Sequence, residues 1–183
     1  ILHPFISQNQ YEPGKLQHTL SPSMDITISS NFERLLFDLY GRDSAGVVQF
    51  LESASHGAVQ LEASRWQGAR KLFDSHSVDD QRTCEVIAEV YGETEYLLDP
   101  HTAIGVESAR RCRRDCTVPM VTMGTAHPAK FPDAVSRSGV GVEASLPAHL
   151  SDLMEREERF TVLDNDLGEI QGFMARNWKF ADN

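Results

Sequence analysis

Thr125, His127 and Lys130 place a hydroxyl, an imidazole and an ammonium within six residues of one another. They follow a short apolar run, Met120 to Met123, that contains the β-branched Val121 and Thr122 and ends at Gly124. The stretch from Val118 predicts a buried strand that opens into a polar turn, followed by a short helix. A ligand in an open α/β sheet sits at the carboxyl end of a strand, so this turn is a candidate binding site. The same turn could instead cap a helix, with Thr125 or His127 accepting from free backbone N–H groups. Ser21, Ser23 and Asp25 form a second polar group, in a loop by its Ser and Pro content. Two hydroxyls and a carboxylate can bind a phosphate or an amino acid, or cap the next helix.

Helices must position these groups. Phe32, Leu35, Leu36, Leu39 and Tyr40 recur at helical spacing, with Gly41 as the stop. Ser30 and Glu33 predict a capping box at its start. Residues 44–76 read as a helical insertion: a helix from Ala45 to Glu52, an anchor at Trp66 and a short turn beginning at Lys71. Asp79 and Asp80 predict the cap of a helix with Cys84, Ile87, Ala88 and Tyr91 as its core stripe and Gly92 as its end. Tyr96 to Leu98 predicts a short strand. Asp99 then reads as an N-cap and Pro100 as the first residue of a helix running to about Arg114. Gly105 in that helix predicts close packing against a neighbour or a cofactor. Arg110, Arg111, Arg113 and Arg114 complement the helix dipole at its end. Ser151 should cap an acidic helix through Glu158. Asp164 to Asp166 should cap a last helix with Leu167, Ile170, Phe173 and Met174 on its inner face.

Composition bounds the function. The 183 residues suffice for one domain with a real core, and a net charge of −10 argues against nucleic acid as a main partner. No apolar run approaches the roughly 18 residues that span a bilayer, so a membrane partner is not expected either. Cys84, Cys112 and Cys116 are an odd count without a disulfide pattern, which suits a reducing cytoplasm. Cys112 and Cys116 lie four apart, on one face of the expected helix, without further ligands at zinc spacing. No metal site is expected.

Three stretches carry a resemblance to a known family. Thr125-Ala126-His127-Pro128-Ala129-Lys130-Phe131-Pro132 looks like the signature near the C-terminal end of threonine synthases. Leu20-Ser21-Pro22-Ser23-Met24-Asp25-Ile26, running on to Arg34, and Asp99-Pro100-His101-Thr102-Ala103-Ile104-Gly105 are similar to two others. They fall in the family's order and with about its spacing. The resemblance implies a helix-rich α/β fold: the C-terminal part of the large domain of a fold-type II pyridoxal-phosphate (PLP) enzyme. The family's proteins are much longer, and the chain opens on Ile1 without a methionine. A fragment is therefore expected, with residues 151–183 as its C-terminal helical segment.

A PLP enzyme needs a lysine to hold the aldehyde, a cradle for the phosphate and a partner for the ring nitrogen. The lysines here are Lys15, Lys71, Lys130 and Lys179, and none stands in the Ser-Phe-Lys-Asp setting of the family's Schiff-base lysine. No catalytic residue is therefore assigned, and the lysine and cradle are expected upstream. What remains is the ring-nitrogen side. The fold implies a hydroxyl facing that nitrogen, which leaves it largely unprotonated, and Thr125 is the candidate. Ser21, Ser23, Asp25, His127 and Lys130 are candidates for contact with substrate. The implied reaction of the intact enzyme is phosphate elimination from O-phospho-homoserine and addition of water to give threonine. The competing readings are an inactive, threonine-synthase-like binding module and another fold-type II lyase. Nothing in the sequence decides the oligomeric state.

Overall fold

The computed structural model describes residues 1–178, so Lys179 and the end of the segment from 151 lie outside the described residues. The chain divides into two compact units, Ile1–Ser145 and one beginning at Leu146. Within the first unit the helices are α1 (Leu2–Gln8), α2 (Phe32–Leu39), α3 (Ser44–Ala54), α4 (Ala63–Leu72), α5 (Asp80–Thr94), α6 (Pro100–Cys112) and α7 (Pro132–Arg137). The second unit holds α8 (Leu167–Asn177). Among the described residues the only β pairing is one antiparallel bridge, Tyr11 to Val59.

Two apolar clusters hold the first unit. One joins α1 to α4 around Phe5, Tyr11, Phe32, Leu36 and Phe50. The Tyr11 and Phe32 rings stack 5.1 Å apart, and Phe5 meets Phe32 edge-on at 4.6 Å, both favourable aromatic geometries. The expected face of α2 packs here, with Phe32 and Leu36 buried and Leu35, Leu39 and Tyr40 flanking. Trp66 is an anchor as expected: its indole N–H donates to the Phe5 carbonyl at 2.8 Å. The second cluster, Val86, Ile87, Leu98, Ala103 and Ala134, joins α5, α6 and α7.

Ionic contacts reinforce the α5–α6 pair. Glu107 on α6 is 1% exposed. Its carboxylate accepts from the guanidinium of Arg82 at 3.0 Å and from Arg111 at 2.7 Å. These two partners hold its pKa down to about 2. Arg82 also reaches Glu85 and Glu89, and these bonds raise its own pKa. A buried carboxylate is tolerated only when paired in this way.

Several expectations need correction. Val118 to Met123 is not a buried strand: Val121 and Met123 are 78% and 73% exposed, and the segment is extended without a ladder partner. An extended segment becomes a strand only when a neighbour completes its hydrogen bonds, and none of the described residues does so. Tyr96 to Leu98 is likewise unpaired coil. The capping box at Ser30 does not form. Asn31 occupies the N-cap without a side-chain capping bond, its Oδ1 accepting from Arg34, and the Glu33 amide instead donates to the Ser30 carbonyl at 3.3 Å. Lys71 lies in the last turn of α4, which ends at Leu72, instead of beginning a turn. Gly92 does not stop α5, which runs two residues further to a left-handed Glu95, because an open-sided glycine costs a helix only about 1 kcal/mol. The buried stripe of α5 is Thr83, Val86 and Ile87, with Cys84 only half-buried. Since α6 ends at Cys112, Cys116 shares no helix face with it. The acidic helix after Ser151 is replaced by short 3₁₀ turns at Ala148–Leu150 and Leu153–Glu155. The cap of α8 is Asp166, as read, but Leu167 and Met174 on its expected inner face are exposed.

Candidate functional site

The site is built on the N-terminus of α6. Asp99 is 1% exposed and extended, with its carboxylate folded back over the first turn. Asp99 Oδ1 accepts from the amides of His101 at 2.9 Å and Thr102 at 3.4 Å. This is the N-cap that the Asp-Pro dipeptide predicts. The carboxylate does more than cap. Its Oδ1 also lies 3.0 Å from His101 Nδ1, and its Oδ2 receives the Thr102 hydroxyl in a short bond.

His101 and Thr102 carry the contacts outward in two directions. The amide of Ser23 donates to His101 Nε2 at 3.2 Å, which joins the Ser21–Asp25 loop to α6. An amide can only donate, so Nε2 accepts and Nδ1 bears the proton that it gives to Asp99. His101 thus bridges Asp99 and the Ser23 amide through its two ring nitrogens. Its ring also packs on Phe131 at 4.6 Å, next to the turn carrying His127 and Lys130. In the other direction Thr102 Oγ1 accepts from the Thr125 amide at 3.0 Å and lies 3.2 Å from Thr125 Oγ1. The three stretches singled out in the sequence are therefore one hydrogen-bonded group.

Each candidate residue has a defined place. Thr125 is exposed, with its backbone fixed by Thr102. Ser21 is buried, its hydroxyl 3.1 Å from that of Thr19. Ser23 is exposed and reaches His101 through its amide, not its hydroxyl. Asp25 holds Thr19, accepting from its amide at 2.8 Å and its hydroxyl at 2.7 Å. His127 caps the turn Pro128–Lys130, its Nδ1 accepting from the Ala129 amide at 3.2 Å, which leaves Nε2 outside that bond. The Lys130 ammonium stands 5.8 Å from the centre of the Phe131 ring, a cation–π distance. A cleft of about 540 Å³ is lined by Thr19, Asp25, Lys15 and Ser77 among others, but Thr125, His127 and Lys130 do not line it.

Gly105 meets its expectation. A Cβ there would lie 3.1 Å from Thr122 Cγ2, so the absent side chain lets the segment leading to Thr125 lie on α6. The Arg113 guanidinium gathers the carbonyls of Asp115, Cys116 and Val118 at the other end of that helix. Sequence reasoning missed Thr102 and His101 as organisers of the site. Both follow an N-cap aspartate, where a polar side chain can reach back to the cap, and that was the available signal. The thiols of Cys84 and Cys112 are pushed up by burial, which makes them poor nucleophiles.

A hydroxyl exposed on one side and fixed from behind suits the edge of a flat heteroaromatic ring. Comparison with known proteins bears on the family. The family model described as threonine synthase, C-terminal, matches residues 102–174. A threonine synthase from Pseudomonas aeruginosa is 57% identical over 178 residues, covering 97% of this chain and 38% of the relative. The Saccharomyces cerevisiae threonine synthase is 40% identical over 75% of this chain and 30% of its own length. The crystal structure of PLP-bound threonine synthase from Brucella melitensis superposes with a TM-score of 0.83 at 43% identity, over 96% of this chain and 38% of that one. The chain thus matches between 30% and 38% of the length of these relatives.

The fold is the helix-rich C-terminal part of the large domain of the α/β, fold-type II class. Within that class the chain belongs to the threonine synthase family, of which it represents the C-terminal portion.

Proposed function

We propose that the protein to which this chain corresponds is a threonine synthase, a lyase of amino-acid biosynthesis that converts O-phospho-homoserine and water into threonine and phosphate. The observation that carries this reading is the joining of Thr125 to the Ser21–Asp25 loop through Thr102, Asp99 and His101. It is supported by the 57% identity to a relative of that name. The residues present fit one end of PLP. The Thr125 hydroxyl can meet the ring nitrogen, whereas no lysine stands in a Schiff-base setting. When bound, PLP supplies an electron sink for the carbanion chemistry.

This chain contributes the shape and polarity around that ring. Thr125 holds the nitrogen edge. His127 Nε2 and the Lys130 ammonium are the groups that suit the substrate's phosphate. Ser21 and Asp25 order the loop on the substrate side, and Ser23 presents its hydroxyl from that loop. The partner is a small molecule, and the cytoplasm is the compartment that the cysteine usage supports.

The test is an assay of the full-length protein for phosphate and threonine formation from O-phospho-homoserine. Equal yields of both support the proposal. Cofactor retention without turnover would point to a binding module, and turnover of unphosphorylated amino acids alone to another lyase. Residues 1–183 by themselves, mixed with PLP and reduced with borohydride, should give no specific adduct. A stoichiometric adduct on Lys130 would overturn the assignment of the anchoring lysine to another part of the protein.

A further inference from the structure

Four arginines stand at or just past the end of α6, and three of them point at carboxylates. Arg110 reaches Glu89 at 2.8 Å, Arg111 reaches Glu107 at 2.7 Å and Arg114 reaches Asp74 at 2.7 Å. Among the described residues Arg113 donates instead to backbone carbonyls. Its Nε meets Asp115 at 3.2 Å, and its Nη2 meets Cys116 at 2.7 Å and Val118 at 2.9 Å. A planar guanidinium holds its N–H groups in a fixed fork. Three carbonyls on one fork therefore fix the path of the chain as it leaves the helix.

The chain then returns along α6. Val118 is held at Arg113, Thr122 packs over Gly105, and Thr125 bonds to Thr102. That order makes the segment antiparallel to the helix. The spacings agree as well. From Gly105 to Arg113 the helix rises about 12 Å, at roughly 1.5 Å per residue. From Val118 to Thr122 an extended chain covers about 13 Å, at roughly 3.3 Å per residue. Between Pro119 and Gly124 no backbone N–H or carbonyl bonds to any described residue. The contact at Gly105 is packing alone. Hydrogen bonds thus pin the segment at its two ends, by Arg113 and by Thr102.

We propose that Arg113 is a positioning residue for Thr125: it sets the register in which the segment lies on α6, and so where the Thr125 hydroxyl meets a bound pyridine ring. This inference rests on the reading of Thr125 as the ring-nitrogen partner. Successive residues of an extended chain face opposite sides. A slip of one residue would turn Thr122 away from Gly105 and carry Thr125 off Thr102. The role belongs to the shape of the guanidinium, not to its charge. Lysine at this position would still complement the helix dipole, but a compact ammonium on a flexible stem cannot hold the three carbonyls in the same array.

The experiment is a double-mutant cycle on PLP affinity, measured by fluorescence titration of the full-length protein. Arg113 is exposed and lies outside both apolar clusters, so its variants keep the fold. Arg113→Ala and Arg113→Lys should each weaken binding about tenfold, the size of one charge-assisted hydrogen bond. In a Thr125→Ala background neither should weaken it further, because residues that act through one contact are not additive. Full affinity in Arg113→Lys would show that charge suffices, and would overturn the inference. An equal loss in both backgrounds would make Arg113 a support of the fold alone, and overturns it too. If Thr125→Ala by itself leaves affinity unchanged, Thr125 is not the ring partner and the inference falls with that reading.

Discussion

Arg82 of α5 donates to Glu107 Oε2 of α6 at 3.0 Å, and so ties the helix that carries Asp99 and Thr102 to its main packing neighbour. Glu107→Ala should leave Arg82 with only exposed partners and open a hole at a site 1% accessible. The expected loss is about 2 kcal/mol, the scale of a charged hydrogen bond. Arg82 keeps Glu85 and Glu89, which limits the loss. Urea unfolding of the full-length protein measures it, and a loss below about 0.5 kcal/mol, the size of an ordinary surface change, would contradict the role.

The same carboxylate sets an acid dependence. The guanidinium groups of Arg82 and Arg111 hold its folded pKa down to about 2, from an ordinary value of 4.5. The folded state therefore binds fewer protons than the unfolded state in that window. Stability from Glu107 is complete above about 4.5 and is lost as pH falls toward 2. Glu107→Gln should flatten the stability–pH curve in this range alone. A curve that keeps its slope would assign the acid sensitivity to other carboxylates.

Gly105 lies where a Cβ would sit 3.1 Å from Thr122 Cγ2. Gly105→Val should push away the segment that ends in Thr125. Cofactor affinity in the full-length enzyme should fall at least tenfold, about 1.4 kcal/mol. Gly105→Ala should be milder, because better helix propensity offsets part of the contact. Equilibrium dialysis with PLP decides this, and undiminished affinity in the valine variant would show that the segment yields freely.

His101 Nε2 is the acceptor for the Ser23 amide. His101→Ala should free the Ser21–Asp25 loop from α6 while sparing the helix cap, which Asp99 still provides. Amide exchange at Ser23 should speed up about tenfold, the equivalent of one neutral hydrogen bond. Unchanged exchange at Ser23 would mean that the bonds of Thr19 to Asp25 hold the loop alone.

The sequence by itself determined the local elements whose causes are local. Asp99 and Pro100 start α6, the apolar spacing of Phe32 to Leu39 makes the buried face of α2, and Gly105 marks a close approach. The first two depend on neighbours within a few turns of chain, and the third on a glycine whose missing side chain signals a contact without naming the partner. It also set Thr125 and the Ser21–Asp25 loop apart as candidates, through residue types that need partners. Only the tertiary structure decided who those partners are. Thr102 and Thr125 are 23 positions apart, and Ser23 and His101 are 78 apart, so no periodicity links them. It also decided where apolar spacing misleads. Val118 to Met123 has the residues of a buried strand, but strand formation depends on a pairing partner that periodicity within the segment cannot supply.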